Sequence, residues 1–236
     1  MTFSSVILAG GLGSRLKPYT AVLPKPLLPL GDKPILEVII NKLKRHRCKK
    51  IILAVNHQAD VIKSFFGNGK KWGVNISYSL EKKRLGTAGP LKNISLIKDQ
   101  NIFVLNGDIL TDLNFEKLME CHLNSSECLM TIATTNRNHL VDYGVIYSNK
   151  NYIKKIDEKP KINYEVSMGV YVINTKLLTL IPKNQYFGMD DLIKKMLSQK
   201  LKINSYKFSG YWKDIGRPDD YEEAINDFIN DPDYFS

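Results

Sequence analysis

Four consecutive apolar residues, Val6-Ile7-Leu8-Ala9, run directly into Gly10-Gly11-Leu12-Gly13-Ser14-Arg15. A strand that is apolar at every position is buried on both faces, so the fold must cover each side of it. The glycines that end it leave a loop without side chains, where backbone N–H groups approach an anion closely. Two cations follow, Arg15 and a Lys25 fenced by Pro24 and Pro26. The prolines restrict the backbone on either side and lower the entropy lost in holding the lysine. Arginine offers a planar fork to phosphate oxygens and lysine a point charge. The stretch is therefore a candidate polyphosphate site. It fits neither of two common phosphate loops: Leu16 stands where a G-x-G-x-x-G loop needs its third glycine, and no G-K-[S/T] follows.

The rest of the first half alternates strand and helix patterns. Val6–Ala9, Ile51–Val55, Val74–Leu80, Ile102–Leu105 and Cys128–Thr134 read as strands. Ile35, Leu36, Ile39, Ile40 and Leu43 recur at helical spacing, and helices are expected over 60–66, 87–97 and 115–122. Alternation of this kind implies an α/β fold, a Rossmann-like and mostly parallel sheet flanked by helices on both faces. The second half changes character. Strands at 143–147, 153–157 and 166–173 have little helix between them, and Asn149-Lys150-Asn151 suits a hairpin turn. Asp190 is expected to cap a helix bearing Leu192, Ile193, Met196 and Leu197, and Pro218 to open the last one. No linker divides the halves. The reading is one domain over residues 1–236, with a nucleotide-binding half (about 1–135) and a substrate half (about 136–236) that is partly antiparallel.

Net charge is +10. The densest basic run, Lys42 to Lys50, reads as the solvated end of a helix, and no aromatic-rich RNA motif accompanies it, so nucleic acid is not an expected partner. No run of eighteen apolar residues and no signal-type start is present, so neither a membrane span nor secretion is expected. Three widely spaced cysteines argue against a disulfide framework or structural zinc and suit the cytoplasm. His46, His57, His122 and His139 have no ligand spacing. Tyr186-Phe187 and Tyr211-Trp212 read as core or pocket wall.

Three further segments carry chemistry. Glu81-Lys82-Lys83-Arg84-Leu85-Gly86-Thr87-Ala88-Gly89-Pro90-Leu91 is a glycine-rich turn with backbone N–H groups free to bind. Asn106-Gly107-Asp108 ends a buried strand, and open α/β sheets bind ligands at the carboxyl ends of their strands. One carboxylate holds Mg²⁺ poorly without phosphate oxygens, water and a second acid. Asp157-Glu158-Lys159-Pro160 has the pattern of an exposed charged turn. No D-x-D occurs.

Leu8 to Leu16, followed by Leu23-Pro24-Lys25-Pro26-Leu27-Leu28-Pro29-Leu30-Gly31-Asp32-Lys33-Pro34, resembles the opening of the sugar-phosphate nucleotidyltransferases. The resemblance covers residues 5 to about 228 and implies a glycosyltransferase-A-like nucleotidyltransferase fold. It implies an NTP wrapped by Leu8, Gly10, Gly11, Gly13 and Ser14, Arg15 on the leaving pyrophosphate, and Lys25 at the reaction centre. Glu81, Gly86 and Thr87 fall in the segment that lines the base. The form Glu-x-x-x-Leu-Gly-Thr-Ala-Gly-Pro-Leu is similar to that of mannose-1-phosphate guanylyltransferases, with Arg84 where proline is usual. Trp212-Lys213-Asp214-Ile215-Gly216-Arg217-Pro218 is similar to the family's W-x-D-I-G-x-P segment, which implies that Asp214 joins Asp108 on one Mg²⁺. Glu158 would hold sugar hydroxyls and Lys159 the sugar 1-phosphate, with the Gly144 backbone facing the sugar. Ser167 replaces a common asparagine and Met168 adds bulk beside it.

The expected reaction is NTP plus sugar 1-phosphate giving NDP-sugar and pyrophosphate, with GTP and a mannose- or heptose-type phosphate favoured, for polysaccharide or glycoconjugate synthesis. UTP, dTTP or CTP, a glucose- or glucosamine-type or phosphocholine-like acceptor, and a silent nucleotide-sugar sensor stand as alternatives. A homodimer is left open.

Overall fold

In the computed structural model, which describes residues 3–94 and 99–231, the apolar run opens the chain as β1 (Phe3–Leu8). A short ribbon of β2 (Pro29–Leu30) and β3 (Lys33–Pro34) leads to helix α1 (Ile35–Arg45), β4 (Cys48–Val55), α2 (Ala59–Phe66) and β5 (Asn75–Leu80). Next come β6 (Asn101–Asn106), β7 (Ile109–Thr111), α3 (Phe115–Asn124) and β8 (Met130–Leu140). The second half supplies β9 (Val145–Asn149), β10 (Tyr152–Asp157), β11 (Lys161–Asn174), α4 (Met189–Ser198), β12 (Ile203–Lys207), β13 (Trp212–Asp214) and α5 (Pro218–Asn230).

The main sheet has the order β12-β8-β11-β6-β1-β4-β5. β1 pairs in parallel with β4 and β6, β4 with β5, and β8 with β12. β11 runs antiparallel between β6 and β8. The architecture is thus the expected mostly parallel mixed sheet flanked by helices. Both faces are covered, as the apolar run requires. Ile7 joins the cluster formed with Leu36 and Ile40 of α1, Ile62 and Phe66 of α2, Leu118 of α3 and Phe228 of α5. Its neighbour Val6 points the other way, into a cluster with Leu192 and Met196 of α4. Alternate residues of a strand face opposite sides, so one tetrapeptide anchors two cores.

Four expectations need correction. The helix expected over 87–97 is a single 3₁₀ stretch, Gly89–Asn93. The N–H groups of Ala88 and Gly89 both go to the Phe187 carbonyl, and Pro90 has none to give. Residues 95–98 of that expectation lie outside the described residues. The strand expected to end at Thr134 continues to Leu140. Its polar second half is held by pairing with β11, from Thr135↔Val166 to Leu140↔Lys161. α4 is capped by Gly188 rather than Asp190. The Gly188 N–H donates to Asp191 Oδ2 at 2.8 Å, while Asp190 reaches outward to Lys194. Leu197 is exposed and does not share the buried face of Leu192 and Met196.

The hairpin at Asn149-Lys150-Asn151 forms as expected, with Lys150 at φ 53° between β9 and β10. His122 is a satisfied core histidine, bonded to Thr131 and Asn101. The three cysteines are free, and burial pushes the Cys48 thiol up to about 12. Among the described residues no helix is long and apolar enough to cross a membrane.

Candidate active site

At the carboxyl end of β1 the chain must leave the sheet without blocking it, and the glycines allow this. The Ala9 N–H donates to the Ala54 carbonyl at 2.8 Å, carrying the strand pairing one residue further, and the loop then lifts away. Gly13 turns the chain at φ 59° into a 3₁₀ turn, Ser14–Leu16, with the Leu16 N–H closing onto the Gly13 carbonyl at 2.8 Å. A Cβ on Gly13 would also lie 2.7 Å from Thr20 Cγ2, whose hydroxyl holds the Gly13 carbonyl. Position 13 therefore requires glycine on two grounds.

The loop forms one wall of an open cleft of about 280 Å³. Leu8, Gly10, Gly11, Glu81, Gly86, Thr87 and Asp108 all line it, so seven of the sequence-selected positions converge. Glu81 follows β5, where its N–H donates to the Val55 carbonyl at 2.9 Å, and its own carbonyl accepts from Asn56 at 2.9 Å. Its side chain bends toward the glycines, and a Cβ at Gly10 would meet Glu81 Oε1 at 3.0 Å. The Leu85 N–H donates to Glu81 Oε2 at 3.2 Å. Desolvation raises the Glu81 carboxyl above its ordinary range, partly offset by that N–H. Gly86, at φ 82°, lets the next turn pack against the Phe187 carbonyl, which a Cβ would approach to 2.6 Å. The Thr87 hydroxyl accepts from the Met189 N–H at 2.7 Å, tying this wall to α4. Tyr186, Arg84, Leu85, Pro90 and Asn106 complete the lining.

Two carboxylates meet at the back of the site. β7 begins just after Asp108 and pairs antiparallel with β13, which ends in Asp214. The Ile215 N–H donates to the Asp108 carbonyl at 2.9 Å, fixing their approach. Lys25, only 8% exposed, is ion-paired with Asp108 Oδ2. The second oxygen, Asp108 Oδ1, is buried with no hydrogen-bond partner. The Asp214 carboxyl is pushed above the usual carboxylate range by desolvation and then by the charge of Asp108, with Lys25 and Arg15 pulling the other way. An orphaned carboxylate oxygen beside a second, mutually repelling carboxylate suits a hard divalent cation that takes few protein oxygens. Arg15 packs at Gly216, where a Cβ would lie 3.5 Å from its guanidinium, and it lines a second hollow with Asp214.

A nucleotidyl transferase family model matches residues 4–231. The chain belongs to the nucleotidyl transferase family. Within it, this chain is 37% identical to a mannose-1-phosphate guanyltransferase of Yarrowia lipolytica over 92% of the chain and 61% of the relative. It is 33% identical to the D-glycero-alpha-D-manno-heptose 1-phosphate guanylyltransferase of Campylobacter jejuni, over 92% of the chain and 96% of that protein. A UTP–glucose-1-phosphate uridylyltransferase of Synechocystis is 32% identical, with 96% of the chain and 63% of the relative covered. The chain thus spans about three fifths of the length of the first and third. The crystal structure of HddC from Yersinia pseudotuberculosis superposes with a TM-score of 0.75 at 27% identity, covering 96% of this chain and all of that one.

The residues expected to hold the acceptor are arranged differently. Gly144 and Glu158 are adjacent, since a Cβ on Gly144 would meet Glu158 Oε2 at 3.0 Å. Lys159 is exposed and sits at φ 44° in the turn after β10. Neither Glu158 nor Lys159 lines the cleft beside the glycine loop. The Ser167 hydroxyl is engaged within the protein, accepting from the Gly169 N–H at 3.2 Å and donating to Tyr171 at 3.1 Å. Ser14 is exposed on the loop. Sequence reading did not select Arg137, which the extended β8 brings against Trp212 beside Asp214. No sequence signal marks it, because Asn136-Arg137-Asn138 has no apolar alternation.

Proposed function

We propose that the protein transfers GMP from GTP to a sugar 1-phosphate of mannose or heptose type and releases pyrophosphate. The observation that carries the choice of base is the Glu81 carboxylate in the cleft. Guanine presents two adjacent donors on one edge, a ring N–H and an amino group, which match the two acceptor oxygens of a carboxylate. Uracil and thymine present one N–H between two carbonyls, and those carbonyls would face the carboxylate unfavourably. The desolvation borne by Glu81 makes such a two-donor partner more valuable. The Yarrowia and Campylobacter relatives, named as guanylyl-transferring enzymes, support the same reading, as does a complex of HddC with GMP-PN.

In this reading the backbone of the glycine loop and Arg15 hold the β- and γ-phosphates. Lys25, already fixed against Asp108, faces the α-phosphate. An oxygen of the acceptor phosphate attacks the α-phosphorus in line and pyrophosphate departs on the opposite side. The nucleophile is an anion at neutral pH, so no general base is needed. The chain's task is to bring two anions together, which rests on positioning and fixed positive charge. Asp108 and Asp214 would hold Mg²⁺, which supplies further charge neutralisation between the two phosphates. Glu158 and the Gly144 backbone would take the sugar hydroxyls, and Lys159 the acceptor phosphate.

The test is pyrophosphate release with Mg²⁺ across GTP, UTP, dTTP and CTP and a panel of sugar 1-phosphates. Turnover with GTP and a mannose- or heptose-type phosphate is expected. Preference for a pyrimidine nucleotide overturns the guanine assignment, and no release with any pair overturns the transfer reaction.

A further inference from the structure

The hollow on the far side of Asp214 has the construction of a second phosphate site. Its volume is about 350 Å³, and Arg15, Arg137, Trp212, Asp214, Gly216 and Arg217 line it together with Lys213, Asp220 and Glu223. Of the lining charges, Lys213 is committed to Glu223 and Asp227, at 3.1 and 2.7 Å. Asp220 accepts from the Arg217 N–H at 2.9 Å and so serves the start of α5. The guanidiniums of Arg15, Arg137 and Arg217 have no carboxylate within ion-pair distance among the described residues.

Arg137 is the most preorganised of the three. Its guanidinium lies over the Trp212 ring, 4.7 Å from the centroid. Trp212 is locked in turn, its indole N–H donating to the Met168 carbonyl at 2.9 Å. A guanidinium stacked by its face keeps its N–H edges free in the plane. One of those N–H groups reaches the Trp212 carbonyl at 3.5 Å, the outer limit of a hydrogen bond. Arg137 lines the hollow, and Arg15 approaches it from the wall at Gly216. Trp212 thus links this wall to the segment around Ser167 and Met168, and to Asp214 two residues on.

We infer that this hollow is a phosphoryl-binding subsite in which Arg137, braced on Trp212, joins Arg15. Its ligand is a phosphate group carried either by the acceptor before transfer or by pyrophosphate on its way out. A planar fork held on an aromatic face binds a tetrahedral oxyanion with little further loss of side-chain freedom. The acceptor and pyrophosphate assignments rest on the transfer reaction proposed above, whereas anion binding at Arg137 does not.

Two measurements on the full chain test it. Trp212 is one of only two tryptophans. An anion that draws on the Arg137 donors alters the stack, so titration with inorganic phosphate or pyrophosphate should change the intrinsic fluorescence. Trp212→Phe and Arg137→Ala should each abolish the response, and Arg137→Lys should weaken it. This readout needs no turnover, so it stands even if no nucleotide and sugar phosphate react. In steady-state kinetics, Arg137→Ala should leave the KM for the nucleotide unchanged if the subsite takes the acceptor's phosphate, and raise it if the subsite takes the β- and γ-phosphates that leave as pyrophosphate. A roughly tenfold or larger rise in the KM for sugar 1-phosphate assigns the subsite to the acceptor, and an equal weakening of pyrophosphate inhibition assigns it to the product. Fluorescence that ignores both anions, with neither constant moved by Arg137→Ala, overturns the inference while leaving the transfer reaction intact.

Discussion

The two halves of the candidate site are built to opposite plans. Around the glycine loop the working groups are enclosed and tied down. Lys25 is buried in an ion pair with Asp108, Glu81 is held from both sides, and Gly13 and Gly86 occupy backbone conformations that favour glycine. On the side proposed for the acceptor, Gly144, Glu158 and Lys159 are exposed, on or beside a two-stranded ribbon, β9–β10, that lies outside the main sheet. The contrast teaches where each half obtains its precision. In the proposed function the nucleotide would be bound by backbone and buried charge already in place. The acceptor would meet exposed side chains whose ordering must accompany its arrival, at a cost in binding.

The sharpest way to break this comparison is at the enclosed centre. Asp108→Asn removes the partner of a buried lysine and one of the two carboxylates proposed for the metal. Losing a single preorganised charge-stabilising group costs about 10²–10³-fold in turnover. Asp108 serves two such groups, so a loss of kcat at or beyond the upper end of that range is expected in a pyrophosphate-release assay. Far-ultraviolet circular dichroism should stay native. Turnover within tenfold of wild type would place the reaction centre elsewhere.

Glu81→Gln probes the wall of the same enclosed half. Glutamine keeps the shape but offers one acceptor and one donor instead of two acceptors. Hydrogen bonds to a charged group are worth about 1.5–3 kcal/mol, which corresponds to roughly tenfold to a hundredfold in discrimination. The ratio of kcat/KM for GTP over UTP should fall by about that factor, mostly through GTP. An unchanged ratio would remove Glu81 from base recognition.

What the sequence discloses follows the same divide. The nucleotide half is legible because its devices are local: an apolar run, glycines that must turn, a lysine between prolines. The acceptor half depends on pairings between segments far apart in the chain. β11 enters between β6 and β8, and nothing in Lys161–Asn174 names its neighbours. The second half of β8, from Thr135 to Leu140, has no apolar alternation and becomes a strand only through β11, which is why Arg137 escaped notice. The convergence of Asp108 and Asp214 depends on the short β7–β13 ribbon, too brief for periodicity to reveal. Residue 167 could be read as serine, but not the engagement of its hydroxyl by Gly169 and Tyr171.

Glu158→Ala sharpens the comparison from the exposed side. Glu158 is solvent-exposed and packs into neither core, so its removal should leave thermal stability within about 0.5 kcal/mol of wild type. The KM for sugar 1-phosphate should rise by about tenfold while that for GTP stays unchanged. A matching rise in the KM for GTP would show that the two halves are not separable in this way.

The smallest effect is expected where the halves meet, at Asp214. Its carboxyl is held above the ordinary range by desolvation and by Asp108. The native state therefore binds this proton more tightly than the unfolded chain does. Stability from this group is present at low pH and is lost as pH rises through the raised native value. In metal-free buffer, Asp214→Asn should remove that loss and raise the melting midpoint near neutral pH. Solvent reaches this side chain, so screening limits the gain to about 1–2 °C. The advantage should vanish below the ordinary carboxylate range, where wild-type Asp214 is protonated in both states. Mg²⁺ reverses the ranking if the two carboxylates hold it. A ligand bound only by the native, deprotonated pair stabilises the wild type by mass action and adds little to the asparagine variant. Melting curves at neutral and acidic pH, with and without Mg²⁺, separate these cases. A variant that gains as much from Mg²⁺ as the wild type does would exclude Asp214 as a ligand.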